Sequence, residues 1–96
     1  MTRNIRTTHN KHLRNPQVAA EYLSDALAES DPGVVLMALR NIAEAQEGGM
    51  AGLAARTQLG RESMYKMLSE EGNPKLSSFT KVIRGLGLHL KVQPHA

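Results

Sequence analysis

The chain contains no cysteine. Disulfides, thiolate metal sites and cysteine nucleophiles are excluded, and the composition fits a reducing compartment such as the cytoplasm. Aromatic residues are nearly absent: two Tyr, one Phe and no Trp. A core must then be built from Leu, Ile, Val, Met and Ala. No apolar run approaches the ~20 residues of a membrane span, so no membrane partner is expected. The basic N-terminus is not followed by an apolar segment, which argues against a secretory signal. What is present is 41% hydrophobic residues in a chain of 96, enough for one small packed domain.

Charge is distributed in blocks. Residues 1–14 carry Arg3, Arg6, Lys11 and Arg14 and no acid. Residues 15–49 carry Glu21, Asp25, Glu29, Asp31, Glu44 and Glu47 against Arg40 alone, a net charge of −5. Residues 50–96 hold seven bases against Glu62, Glu70 and Glu71. A basic arm, an acidic middle and a basic end suggest more than one kind of partner, with ordinary surface charge as the competing reading.

The pattern predicts a basic arm over residues 1–14, with a short strand near Arg3–Thr8 or no structure at all, and a single helical domain over 15–96. Asn15-Pro16 opens the first helix: Asn caps free amides, and Pro at the first helical position forfeits no hydrogen bond. Ala19, Tyr22, Leu23, Ala26 and Leu27 follow at the spacing of one buried face. Asp31-Pro32 opens the second, whose stripe is Val35, Leu36, Leu39, Ile42 and Ala43, and Gly48-Gly49 ends it. A short third helix starts at Met50, with Leu53 and Ala54 inward. A fourth runs over about Arg61–Ser69 with Met64, Met67 and Leu68 apolar. After the loop Gly72-Asn73-Pro74, a fifth covers about Leu76–Gly85, burying Leu76, Phe79, Val82, Ile83 and Leu86. The methionines read mostly as core filler. Leu88, Leu90 and Val92 then alternate with His89, Lys91 and Gln93, the period of a half-buried strand. A lone strand needs a partner, which motivates a homodimer.

The third and fourth helices, joined by Gln58-Leu59-Gly60, have the layout of a helix-turn-helix at about residues 50–69. Positions 53, 54, 59, 64 and 67 face inward, while Arg61, Glu62, Ser63, Tyr65 and Lys66 are left outside. A short helix bearing Arg and Lys suits the major groove of DNA.

The wider span, through Gly72-Asn73-Pro74-Lys75-Leu76, Phe79, Val82-Ile83 and Leu86-Gly87, resembles the lambda-repressor-like (Cro-repressor-type, XRE) DNA-binding domain. Tyr22-Leu23, Ala38-Leu39-Arg40, the run Arg61–Lys66 and Leu86-Gly87-Leu88 bring it closer to the HigA-like addiction module antidote proteins. The similarity covers about residues 15–93. Two positions depart from the pattern: Gln58 stands where the turn usually has Gly, and must adopt a left-handed conformation or reshape the turn. Gly60 stands where a Ser or Thr usually caps the recognition helix, and caps more weakly.

The resemblance implies an all-α, five-helix lambda-repressor-like domain with a short C-terminal β-strand. It implies an antitoxin of a type II toxin–antitoxin pair that neutralises a small RelE/HigB-like ribonuclease toxin. It also implies a repressor that binds double-stranded DNA in the operator of its own operon, usually as a dimer. By family position Arg61, Glu62 and Lys66 read bases, with Arg61 matched to guanine and Glu62 to cytosine. Ser63, Tyr65, Arg56 and Lys75 are placed for phosphates. Each could otherwise be a solvated surface residue. The alternatives are a repressor without a toxin and a protein-binding module that does not touch DNA. His9, His12, His89 and His95 lack companion ligands at metal spacing, Ser63 has no base beside it, and no phosphate loop follows Gly48-Gly49. No metal, cofactor or catalysis is expected.

Overall fold

The computed structural model describes residues 11–95. Five α-helices lie wholly within them: α1 Pro16–Ala28, α2 Pro32–Ala45, α3 Gly49–Thr57, α4 Arg61–Met67 and α5 Leu76–Gly85. Both proline-led starts form as the sequence requires. Asn15 Oδ1 accepts from the Gln17 and Val18 amides at 2.9 and 3.3 Å, and Asp31 Oδ1 accepts from Gly33 N–H at 2.9 Å. α3 begins one residue earlier than expected, because Gly48 takes a left-handed conformation (φ 83°) and serves as its N-cap.

The helices pack in sequence order, α1 on α2, α2 on α3 and α3 on α4, and α5 returns to α3. The core is aliphatic, with Leu23, Leu39, Ile42, Leu53, Met64, Leu68, Val82 and Ile83 all buried. Phe79 and Tyr22 are half-buried at its margin. Gly85 lets α5 approach α3 closely: a Cβ there would come within 2.7 Å of Thr57 Cγ2 and 2.9 Å of Leu53 Cδ1. At the core margin Asn41 Nδ2, from a buried residue, donates to Tyr22 Oη at 2.9 Å.

Leu13, on the basic arm, is 1% exposed and belongs to the core. Its carbonyl accepts from Gln46 Nε2 at 3.1 Å, and Arg14 Nε donates to the Ala45 carbonyl at 2.7 Å. The cation thereby meets the negative end of α2. The strand expected near Arg3–Thr8 lies outside the described residues.

Three expectations are corrected. The C-terminal segment is not a strand: among the described residues there is no strand, and 88–95 run without secondary structure. The alternation of Leu88, Leu90 and Val92 specifies one apolar side, but a strand also needs a neighbouring backbone. Only Leu88 packs on the core, while Leu90 and Val92 are 44% and 93% exposed. Gly87 (φ 77°) turns the chain off α5, with Leu88 N–H bonded to Ile83 O and Gly87 N–H to Arg84 O, a Schellman ending. Second, Leu76 is 76% exposed. It begins α5, whereas the contact with α3 at Gly85 lies nine residues on, roughly 13 Å along the axis. Third, Leu27 is exposed, at the edge of the α1 stripe rather than inside.

Candidate nucleic-acid interface

Helix α4 is held by two fully buried side chains, Met64 and Leu68, with Met67 half-buried beside them. Helical periodicity then turns Arg61, Glu62, Ser63, Tyr65 and Lys66 away from the core, and all five are exposed. Glu62 and Lys66, four apart, occupy the middle of this outward face; Arg61 and Ser63 flank it. The helix ends at Met67 rather than Ser69, as Ser69 N–H and Ser69 Oγ both bond the Lys66 carbonyl and tighten the last turn.

The connection to α3 is short. Gln58 is left-handed (φ 62°, ψ 19°), the first of the two outcomes its departure from glycine allowed, and is the one non-glycine residue with positive φ among the described residues. Gly60 is extended and offers no side-chain cap. Thr57, buried and not singled out by the sequence reading, supports the turn. Its hydroxyl donates to the Leu53 or Ala54 carbonyl and accepts from Leu59 N–H at 3.4 Å. Replacing Gln58 with glycine is expected to stabilise the chain by about 0.5–1 kcal/mol, because the left-handed strain is relieved and partly offset by backbone entropy. Thermal unfolding followed by circular dichroism checks this; a lower midpoint would contradict it.

The predicted residues divide into three places. Ser63 and Lys66 of α4 join Lys75 and Ser78 around a groove of about 820 Å³, closed by the Gly72–Pro74 loop. Arg61, Glu62 and Tyr65 stand on the outward face of α4 and are not among the residues lining that groove. Arg56 lies apart, its Nε donating to the Gly85 carbonyl at 3.0 Å. It shares a hollow with Lys81 and Arg84, two cations the sequence reading missed although their spacing places them on one face of α5. Arg56 and Arg84 fall in the last turns of α3 and α5, where cations offset the helix dipoles.

A family model described as "probable addiction module antidote protein" matches residues 5–94. The chain belongs to this antidote family. A protein of Haemophilus influenzae, described as uncharacterized, is 35% identical over 83 residues, which cover 86% of this chain and 84% of that protein. No solved structure matches the chain. Membership in an antidote family accords with a regulatory rather than an enzymatic protein. Among the described residues no group of His, Asp and Glu could hold a metal ion, and no helix is long and apolar enough to cross a membrane.

Proposed function

We propose that this antidote-family chain is the antitoxin of a type II toxin–antitoxin pair and a sequence-specific repressor of its own operon. In this reading α3, the Gln58–Gly60 turn and α4 form the helix-turn-helix of a lambda-repressor-like (XRE) domain. The observation that carries it is α4 itself: pinned from within by Met64 and Leu68, it offers Arg61, Glu62, Tyr65 and Lys66 outward beside the groove of Lys66 and Lys75. Arg61 reads a guanine edge and Lys66 a base edge or nearby phosphate. Ser63, Tyr65 and Lys75 hold phosphates, while Arg56 acts from the adjoining turn. Two copies bind a two-fold operator, with the exposed Leu90 and Val92 as an apolar edge for the second copy to cover. The antidote family brings the toxin partner, and the HigA-like residues make it a small RelE/HigB-like ribonuclease.

Fluorescence anisotropy on the duplex upstream of the gene, against a shuffled duplex over a salt series, tests the DNA half of this reading. The native duplex is expected to be preferred. Arg61→Ala/Lys66→Ala is expected to abolish the preference, losing about 1–3 kcal/mol at the arginine and flattening the salt slope by about one unit at the lysine. Equal, salt-sensitive binding of both duplexes by the wild-type chain would reduce the interaction to counterion release and overturn sequence-specific repression.

A further inference from the structure

The corner between α1 and α2 carries a second recess. Glu29 and Asp31 stand exposed at its rim, and Val35, Leu36, Pro74 and Phe79 supply apolar lining to a notch of about 320 Å³. Its wall includes the Gly72–Pro74 loop, which also closes the groove of Lys66 and Lys75. An apolar notch and a groove lined by Lys66, Lys75 and Glu71 thus share the same three loop residues.

Among the described residues the acids around this notch have no side-chain counterion. The one cation of residues 15–49, Arg40, is half-buried, and its Nη1 donates to the Leu68 carbonyl at 2.6 Å. Among the described residues no carboxylate takes part in an ion pair. Asp31 accepts one backbone amide; Glu29 has no hydrogen bond through its side chain. Exposed carboxylates, Asp31 still charged though it caps α2, repel nucleic-acid phosphates, so this side does not suit DNA. They suit a cation, and the half-buried Phe79 ring narrows the choice. Arginine presents a planar, weakly hydrated guanidinium that stacks on an aromatic face and still donates two parallel bonds to a carboxylate.

We infer that this notch is the docking site of a basic protein partner, which inserts an arginine side chain between Phe79 and the Glu29/Asp31 rim. The inference rests on the antitoxin reading for the existence of a protein partner, and it assigns that partner a surface distinct from α4. Electrostatic complementarity brings the two together, and the apolar lining takes the stem of the inserted side chain.

The test uses the full chain and the purified product of the neighbouring gene, titrated by calorimetry. Glu29→Gln/Asp31→Asn removes both charges, and Asn at position 31 keeps the helix cap. This pair is expected to weaken the complex at least tenfold without changing binding to the upstream duplex. Glu44→Gln/Glu47→Gln removes the same charge near the other end of α2 and is expected to change affinity less than threefold. Equal losses from the two pairs would mean a diffuse field rather than a docking notch, and no loss from the first would refute the notch alone. Absence of any complex with the wild-type chain would instead overturn the antitoxin reading together with this site.

Discussion

Gly72→Ala is expected to remove about 3 kcal/mol of stability, lowering the thermal midpoint by roughly 12–24 °C. The reason is contact with backbone. A Cβ at Gly72 would overlap the Met67 carbonyl oxygen, lie 2.6 Å from the Met67 carbonyl carbon and 3.1 Å from the Lys66 carbonyl oxygen. Flexible side-chain ends can move aside; the last turn of α4 cannot without losing its hydrogen bonds. Gly72 N–H also bonds the Ser69 carbonyl at 2.9 Å, which fixes where the loop departs. The same substitution is expected to weaken DNA binding, because Lys66 and Lys75 face one groove across this loop. Calorimetric unfolding checks the first effect; a midpoint lowered by less than about 5 °C would show that the loop relaxes with little loss.

Leu39→Ala is expected to destabilise by about 3–4 kcal/mol, from lost burial plus the cavity left behind. Leu39 is fully buried on α2, the helix packed against both α1 and α3. No buried aromatic ring stands near to refill the space, because the core contains none. Urea unfolding should show a lower midpoint at unchanged slope, the sign of an altered native state rather than an altered unfolded one. A loss below about 1.5 kcal/mol would mean that the aliphatic core collapses onto the gap.

Much of the architecture was legible because its signals are local. Asn15-Pro16 and Asp31-Pro32 each combine a cap with a residue pre-set for the first turn, so both helix starts could be placed to the residue. At Gln58 the resemblance left two outcomes, a left-handed residue or a reshaped turn, and the structure shows the first. The outward face of α4 followed from period alone. What stayed hidden depends on elements distant in sequence. Leu13 is a single apolar residue in a polar arm, and only α2 makes it core. The alternation of residues 88–93 encodes an apolar side, but pairing is a property of two backbones. Leu76 continues the stripe of α5 yet lies beyond its contact with α3. The grouping of Ser63 and Lys66 with Lys75, and the separation of Arg56 from them, depend on how α4 and α5 sit about the Gly72–Pro74 loop. Phe79 read as core and packs at its margin, while also lining the notch beside Glu29 and Asp31.

The absence of ion pairs among the described residues bears on how this protein responds to its solvent. Among the described residues salt has no ion pairs to screen; it screens the contacts of Arg14, Arg56 and Arg84 with helix ends, and, in the opposite sense, the mutual repulsion of the acidic middle segment. Ionic strength therefore acts on the fold only through small opposed terms, whereas it weakens any contact that a charged partner would make. Folding and binding thus respond unequally to one variable, so salt would release a charged partner from a chain that stays folded.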